Sequence, residues 1–330
     1  MKTIKEFIEG DDITGFYLLK SAELKQTNAT PPKDYFDLVL ADSSGEIPAK
    51  FWDVSIADKE TFFAPMLVKV RGVVQKYREK PQFKVVKLRP ADPADGYTLT
   101  DFIRSAPVPP NDLVYTIKTT AAGIADTDLR RIVDYCVEKV GDKLMHYPAA
   151  KGMHHAFYAG LAYHTVRMLE LAEFICRQRP FLNRDLLLAG IILHDIAKTE
   201  EMTAELGVVS EYSFTGKLMG HLALASTWVT EAAIKLDMDP TSEKVILMQH
   251  MILAHHNKGE WGSPVQPQTA EAIALHYIDQ LDAKLQAAED ALDMMPDNEQ
   301  WTIPLRVLEG KALYRGPKDG AGPAETEKTE

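Results

Sequence analysis

An imidazole, a carboxylate and an ammonium group follow one another after the apolar stretch Leu186–Leu193. If this stretch is helical, His194, Asp195 and Lys198 can face the same side, because residues three and four apart are neighbours on a helix. Neutral imidazoles and carboxylates bind transition metals, and an ammonium group can offset the charge of a phosphate. The stretch therefore suits a metal-assisted phosphohydrolase, although a single His-Asp pair has low specificity as a motif.

Histidine is unevenly distributed along the chain. All ten histidines lie between His146 and His276, and the first 145 residues contain none. This clustering favours a metal centre over isolated core histidines. A two-ion site needs about six to eight ligand atoms, and helical spacing together with helix ends selects one set that can supply them. The candidate metal ligands are His164, His194, Asp195, His221, His255, His256 and Asp279.

The remaining histidines are weaker candidates. His155 precedes His164 by nine residues, which is half a turn out of phase on a straight helix, so we do not expect both to bind one ion. For His154 and His155 the sequence leaves two alternatives, substrate contact or helix capping. His146 and His250 are interpreted as structural. A stripe of one histidine and two acids recurs every third residue near the end of the chain: His276, Asp279 and Asp282.

The first 92 residues have the pattern of a small β-barrel. Residues 35–52 contain two alternating strands around a Ser-Ser-Gly turn, which is a hairpin signature. Residues 66–75 and 82–89 predict two further strands around a second turn. Several short strands with turn signals between them predict a barrel.

The predicted barrel carries a basic surface on an otherwise acidic protein. The formal net charge is −11, yet residues 69–89 hold eight lysines and arginines against one glutamate. Basic side chains that follow phosphates, with aromatic rings that stack on bases, are how small barrels hold single strands. The alternative is a solvated strand face above core aromatics. The candidate nucleic-acid ligands are Lys69, Arg71, Lys76, Arg78, Trp52 and Phe83.

The rest of the chain is predicted to be mainly helical. Prolines mark residues 93–125 as a linker, and residues 126–314 have helical spacing. Residues 315–330 are rich in Gly, Pro and charge and are expected to be disordered. The expected helices cover His155–Gln178, Arg184–Lys198, Lys217–Leu236, Ser242–His255 and Thr269–Leu292.

The composition favours a cytoplasmic protein. Cys136 and Cys176 form neither a disulfide framework nor a zinc-knuckle pattern, which fits a reducing compartment. The longest apolar run is too short to cross a bilayer, and Met1–Glu6 has no apolar signal region. We therefore expect no membrane partner.

The order of the candidate ligands resembles that of the HD-domain metal-dependent phosphohydrolases. Its second histidine set, His221 with His255 and His256, is similar to that of their two-metal members. Three stretches resemble the YhaM-type bacterial 3′→5′ exoribonucleases more narrowly, within a likeness that spans residues 1–314. One departure is Asn257, where the family would have glycine after the histidine pair. The three stretches are Phe36–Glu46, Met251–His256 and Leu275–Lys284.

This resemblance implies a multidomain α and β protein. It implies an N-terminal OB-fold over residues 1–92, the linker over 93–125, and an all-α HD domain over 126–314. It further implies manganese-dependent removal of nucleotides from the 3′ end of single-stranded RNA, with single-stranded DNA as a further substrate and homo-oligomer formation left open. The residues alone support phosphodiester hydrolysis and single-strand binding, but neither the polarity nor the preference for RNA.

Ligands and resemblance together give a hypothesis for the site, in which two divalent ions share one carboxylate. Manganese is the expected metal through the resemblance, since an imidazole-rich shell suits several transition metals. Asp195 and Lys198 are the expected catalytic residues, with Lys198 neutralising a phosphate oxygen and Lys284 as a weaker candidate for a similar role. We expect one ion to be held by His164, His194, Asp195 and Asp279, and the other by His221, His255, His256 and the shared Asp195.

Two other functions remain open at this point. An HD-domain hydrolase of a small nucleotide would use the same ligands, but would leave the basic barrel without a role or with a regulatory one. A non-catalytic single-strand-binding factor would need only the barrel, and its metal site would be vestigial. The nuclease hypothesis uses both features.

Overall fold

The N-terminal part of the chain is a closed barrel of five strands. The computed structural model describes residues 2–78, 80–96, 102–151, 155–296 and 299–316. Strands pair antiparallel along the barrel, and a parallel pairing between the third and fifth strands closes it, which is the OB-fold topology. The elements are β1 (Asp12–Gln26), β2 (Asp34–Asp42), β3 (Gly45–Trp52), α1 (Ile56–Thr61), β4 (Met66–Tyr77) and β5 (Lys80–Pro90).

Alternating side chains fill the interior of the barrel. Val68, Val70 and Val74 on β4 are each at most 2% exposed, as expected when every second residue of a strand faces inward. Phe83 of β5 is 0% exposed and lies against Gly72, where a Cβ would come within 2.5 Å of the phenyl ring. Glycine at 72 therefore makes room for the Phe83 ring in the barrel core.

A mainly helical region follows the barrel. Its core is formed by apolar faces of seven helices that pack against one another. Short polar side chains begin several of them: Asp126, Asn183, Ser213 and Thr269 each accept a hydrogen bond from a backbone N–H of the first turn. The helices are α2 (Pro110–Ala122), α3 (Thr127–Val140), α4 (Gly160–Gln178), α5 (Arg184–Leu193), α6 (Lys198–Glu201), α7 (Phe214–Lys235), α8 (Glu243–Ala254) and α9 (Ala270–Asp293).

The segment 93–125 contains more structure than a linker. Leu113, Ile117 and Ala121 of α2 are each 1% exposed and belong to the helical core. Pro110 stands at the start of the helix, where its missing N–H costs nothing. The prolines in this segment thus precede a packed helix or occupy its first position. We propose that the helical domain begins at α2 instead of at residue 126.

A β-hairpin interrupts the helices at a place where we expected none. Strands β6 (Met202–Glu205) and β7 (Val208–Tyr212) pair antiparallel around Leu206 and Gly207, which both have positive φ. A two-residue turn of this kind matches the twist of the strands it joins. Leu206 and Val208 pack beside Leu18 of the barrel.

Two predicted helices have different limits in the structure. The helix expected from His155 begins at Gly160, because His155 and Ala159 adopt positive φ values of 54° and 60°. The helix expected to reach Lys198 ends at Leu193, and a turn precedes α6. His154 and residues 317–330 of the expected disordered tail lie outside the described residues. No helix among the described residues is both long enough and apolar enough to cross a bilayer.

Candidate metal centre

Five helices bring the predicted metal ligands together. His164 lies within α4, and His194 and Asp195 follow the end of α5. His221 lies directly after Gly220, whose φ of 70° and ψ of 163° break α7. His255 and His256 follow α8, and Asp279 lies within α9.

The carboxylate of Asp195 stands between the histidines. Its Oδ2 lies 3.3 Å from His194 Nε2 and 3.9 Å from His164 Nε2. Its Oδ1 lies 3.3 Å from His221 Nε2 and 3.9 Å from His255 Nε2. One oxygen therefore faces one histidine pair, and the other oxygen faces the second pair.

Two groups of ligand atoms surround this carboxylate. In each group the candidate atoms lie within 4.8 Å of one another, close enough to bind a common ion. Asp279 joins the first group, with its Oδ1 3.3 Å from His164 Nε2. The groups are His164, His194 and Asp279, and His221, His255 and His256.

The five candidate histidine ligands share one orientation. Each uses Nδ1 for a hydrogen bond to a backbone carbonyl or a carboxylate, and so leaves Nε2 as the nitrogen that can bind a metal. Such bonds set the tautomer and the ring plane of metal-binding histidines. The Nδ1 contacts are His194 to Ile191 O (2.7 Å), His255 to Ile252 O (2.7 Å), His256 to Trp261 O (2.6 Å), His221 to Glu201 (3.0 Å) and His164 to Asp282 Oδ2 (2.7 Å).

Buried polar atoms without partners support a metal at this place. Among the residues that the structure describes, His194 Nε2, His221 Nε2, His255 Nε2 and Asp195 Oδ1 are buried and make no hydrogen bond. A buried polar atom left unpaired costs about 1–3 kcal/mol, so three imidazole nitrogens beside one unpaired carboxylate oxygen call for a shared partner. Imidazole nitrogens and carboxylate oxygens fit a divalent transition metal.

The electrostatics keep the ligands in binding-competent forms. Burial alone would raise the pKa of Asp195, but the Lys198 ammonium and the His194 and His221 imidazoles hold it well below its usual range. Burial lowers the pKa of His255 well below its usual value, which keeps that imidazole neutral. Asp195 is therefore a carboxylate and His255 a neutral donor at neutral pH, as metal binding requires.

His164 is the exception. Burial opposes its charge, but the hydrogen bonds to Asp279 and Asp282 outweigh burial and raise the pKa of His164 to about 9. Burial would raise the pKa of both acids, but the His164 contact holds the pKa of Asp279 below its usual range, and hydrogen bonds from His155 and His164 do the same for Asp282. In the metal-free protein, the imidazole of His164 is therefore positively charged and lies between the carboxylates of Asp279 and Asp282.

Lys198 contacts Asp195, as its spacing predicted, although the chain between them is a turn. The Nζ atom lies 2.7 Å from Asp195 Oδ2, and the lysine side chain is 13% exposed. Lys198 is the first residue of α6, and its backbone N–H donates to the Asp195 carbonyl. Lys284 is half-buried on α9, two residues beyond Asp282.

Sequence reasoning did not assign a supporting role to the acids that hold the histidines. Glu201 accepts hydrogen bonds from the backbone N–H and from Nδ1 of His221, both at 3.0 Å. Asp282 holds His164 from α9, and its place in the acidic stripe beside Asp279 was the only signal in the sequence. Nothing local marks Glu201, because it lies 20 residues from its partner.

The departure at Asn257 has a structural explanation. Asn257 follows the histidine pair with a φ of 65°, a left-handed conformation that favours glycine. Asparagine is among the few other residues that adopt this conformation readily. The loop after α8 therefore keeps the backbone turn for which the family resemblance predicted glycine.

A basic groove crosses the surface of the barrel. Lys69 and Arg71 of β4 line it together with Lys87 and Arg89 of β5, and Phe51 adds an aromatic side chain. Several of these cations are paired: Arg71 contacts Asp12 at 2.9 Å, and Arg89 contacts Asp95 at 2.7 Å. The groove thus combines charge and an aromatic ring, and Phe51 was not singled out from the sequence.

The other predicted nucleic-acid ligands lie at different places on the barrel. Trp52 is 40% exposed and its ring stacks on Tyr35 at 4.5 Å. Lys76 lies 3.4 Å from Glu9, and the Arg78 guanidinium lies over the Tyr77 ring.

Phe83 does not fit the interpretation as a base-stacking residue. Its ring is completely buried in the barrel core, so no base can reach its face. The error comes from strand parity, since alternate residues of β5 face opposite sides. We therefore leave Phe83 out of the proposed RNA surface.

Comparison with known proteins agrees with this architecture. The HD domain family model matches residues 161–284. The chain is 39% identical over 306 residues to the 3′-5′ exoribonuclease YhaM of Bacillus subtilis, covering 93% of this chain and 95% of that protein. It is 38% identical over 314 residues to the protein of that name from Bacillus pumilus, covering 95% and 98%.

One solved structure resembles a part of the chain. It is the second OB-fold domain of replication protein A from Methanococcus maripaludis, with 16% identity, 28% of this chain and 94% of that chain covered, and a TM-score of 0.24. The identity and coverage of the Bacillus proteins are decisive: this chain belongs to the family of YhaM 3′-5′ exoribonucleases.

Proposed function

We propose that this protein is a metal-dependent 3′→5′ exoribonuclease that hydrolyses phosphodiester bonds of single-stranded RNA and releases nucleoside monophosphates. The name of its relatives, the HD domain match and the cluster of histidines and acids support this activity. Single-stranded DNA is proposed as a second substrate, because stacking and phosphate contacts do not require a 2′-hydroxyl.

The observation that carries the proposal is the division of the Asp195 carboxylate between two histidine pairs. Oδ2 faces His164 and His194, while Oδ1 faces His221 and His255. A carboxylate placed in this way can bridge two ions. We assign His164, His194, Asp195 and Asp279 to one ion, and His221, His255, His256 and Asp195 to the other.

The chemistry of the donor set suits manganese. Two divalent ions, when bound, supply Lewis-acid charge and a nucleophile at neutral pH for in-line attack on phosphorus. Mixed imidazole and carboxylate donors accept manganese among other transition metals, and selection among these metals depends on site geometry, ligand type and metal availability.

Lys198 is proposed to assist the phosphate. Its ammonium group is held 2.7 Å from Asp195 Oδ2, inside the centre and largely away from solvent. A fixed positive charge in such a place stabilises negative charge that develops on a phosphoryl oxygen. Lys284 is retained as a weaker candidate for the same role.

The barrel is proposed to hold the strand that the metal centre shortens. Lys69, Arg71, Lys76 and Arg78 would follow phosphates, and Trp52 would stack on a base. Binding should therefore weaken with salt, with a slope of about −0.7 in log affinity for each phosphate contact. We propose the domain division as residues 1–92 for this function and α2 to residue 314 for hydrolysis.

The test uses one RNA labelled at its 5′ end, incubated with manganese. A ladder of shortening labelled products is expected for the native protein, and a 3′-labelled copy should release labelled mononucleotide first. Asp195→Ala should reduce cleavage more than the roughly 10³-fold typical of one lost electrostatic donor, while RNA retention on a filter is unchanged. Cleavage by Asp195→Ala at the native rate would contradict the assignment.

The same assay separates the other functions. Hydrolysis of a cyclic dinucleotide or nucleoside polyphosphate, with RNA left intact, would favour a small-nucleotide hydrolase. RNA binding without metal uptake would favour a non-catalytic factor. A single-stranded DNA ladder tests the second substrate, and light scattering at several concentrations tests for the homo-oligomer. The free thiols Cys136 and Cys176 support our proposal of a cytoplasmic location.

A further inference from the structure

One buried carboxylate oxygen joins two histidines next to the metal centre. Asp282 Oδ2 lies 2.7 Å from His164 Nδ1 and 2.7 Å from His155 Nε2. His155 and His164 are 0% exposed, and Asp282 is 7% exposed. Since a carboxylate only accepts hydrogen bonds, both ring nitrogens donate to it.

This arrangement differs from the support of three of the other ligands. His194, His255 and His256 donate to backbone carbonyls, which their own helices or loop hold in place. The support of His164, like that of His221 by Glu201, is a side chain, and a side chain can rotate. Asp282 therefore needs a partner of its own, and His155 is that partner.

The position of His155 is fixed by its surroundings. Its carbonyl accepts a hydrogen bond from the Ala149 N–H at 3.1 Å. The same carbonyl oxygen lies 2.0 Å from where a Cβ on Gly160 would stand, so only glycine permits this approach. The φ of 54° at His155 is a conformation that a bulky side chain adopts only when the fold enforces it. Edge contacts from Phe157 and Tyr163, both 5.6 Å from the imidazole centre, hold the ring.

We propose that His155 and Asp282 are positioning residues that orient His164 for metal binding, and that His155 does not bind the ion. Donation from His164 Nδ1 to Asp282 leaves Nε2 as the ligand atom, and Nε2 faces Asp279 and Asp195. Donation from His155 stops the Asp282 carboxylate from rotating away. The inference rests on the proposed metal centre, because it explains how one of its ligands is aimed.

The geometry also explains why this trio needs no ion of its own. His155, His164 and Asp282 are close enough to bind a metal together. However, two contacts of 2.7 Å to one oxygen are ordinary lengths for charge-assisted hydrogen bonds. These two hydrogen bonds are sufficient to explain why the three side chains lie so close together.

The test measures metal binding directly, by titrating metal-free protein with Mn²⁺ and following free Mn²⁺ by electron paramagnetic resonance. Loss of an outer partner of a ligand histidine weakens metal affinity about 10–100-fold. We expect that loss for His155→Ala and Asp282→Asn, confined to one of two ions. His155→Gln should recover most of the affinity, because its amide can donate to Asp282. The matched control is His146→Ala, a histidine of the same segment that lies against Tyr147 and Tyr158.

Two further measurements separate positioning from general stability. The visible spectrum of Co²⁺-loaded His155→Ala should change in band position, while that of His146→Ala matches the native protein. Thermal unfolding of the metal-free variants reports any loss of folding. Equal affinity of His155→Ala and the native protein would overturn the inference, as would equal weakening by His155→Ala and His155→Gln. If the native protein takes up no metal, the proposed function fails instead.

Discussion

The ammonium group of Lys198 lies 2.7 Å from the carboxylate of Asp195, and both side chains are largely removed from solvent. In the metal-free protein, the positive charge of Lys198 balances the negative charge of the carboxylate that two divalent ions would share. Burial would lower the pKa of Lys198, but Asp195 outweighs it and raises that pKa. The lysine therefore stays charged within the centre.

Replacement of Lys198 should be costly in the absence of metal and less costly in its presence. Removing one member of a buried ion pair destabilises a protein by about 3–5 kcal/mol, because the other charge stays buried alone. We expect Lys198→Met to lower the free energy of unfolding of metal-free protein by that amount, and manganese to recover part of it. RNA turnover by Lys198→Met at saturating metal should fall about 10²–10³-fold.

The matched control for Lys198 is an exposed ion pair between a lysine and a glutamate of α6. Lys143 contacts Glu200 at 3.0 Å, with both side chains more than 40% exposed. Exposed pairs contribute about 0–1 kcal/mol, so Lys143→Met should unfold almost like the native protein and should keep its activity. Urea unfolding of the two variants, with and without manganese, makes the comparison. Equal destabilisation of both would show that the Lys198–Asp195 pair is not special.

Metal binding should release a proton from His164. Because the pKa of His164 is raised to about 9 in the metal-free protein, the ring is charged at pH 7 and must become neutral to bind an ion. Manganese uptake should therefore release about one proton from this group at pH 7 and none well above pH 9. Affinity for that ion should rise about tenfold per pH unit across this window.

Calorimetric titration in buffers of different ionisation enthalpy measures the proton count. A count independent of pH between about 7 and 10 would argue against His164 as the group that titrates. The raised pKa of His164 also makes the stability of the folded, metal-free protein depend on pH. A raised pKa stabilises the folded protein below the unfolded value near 6.5, and this stabilisation is lost as pH rises through about 9.

Glu201 should control the affinity of the other ion. It accepts both the backbone N–H and the Nδ1–H of His221, just after the break at Gly220. We expect Glu201→Gln to weaken one of two manganese affinities about 10–100-fold, because the amide orients the ring less firmly than a carboxylate. The neighbouring Glu200→Gln, which alters only the exposed contact to Lys143, provides the control. Identical manganese titrations for the two variants would refute this role.

Two aromatic residues of the barrel should behave in opposite ways. Trp52 is 40% exposed, so Trp52→Ala should weaken RNA binding by about 1–3 kcal/mol with little change in stability. Phe83 is 0% exposed, so Phe83→Ala should lower the free energy of unfolding by about 3–5 kcal/mol. Filter binding and urea unfolding on both variants check this. Native-like RNA affinity of Trp52→Ala would remove Trp52 from the proposed surface.

Local patterns predicted a small barrel and selected the candidate metal ligands, but they did not predict β1 (Asp12–Gln26) of the barrel. Alternation along residues 35–52 and 66–89 reports strands, since side chains of a strand change sides at every residue. His164, His194 and His221 were selected as candidate ligands because helical spacing and turn signals report which way a residue points within its own element. The left-handed turn at Asn257 was also within reach, since few residue types adopt it.

The tertiary structure alone decided how those ligands are aimed. Asp282 and His164 are 118 residues apart in the chain, and Glu201 and His221 are 20 apart, so no local period relates them. His155 was judged by a helical phase that does not apply, because α4 begins at Gly160. Periodicity describes one element at a time, whereas a hydrogen bond between elements depends on how their cores pack.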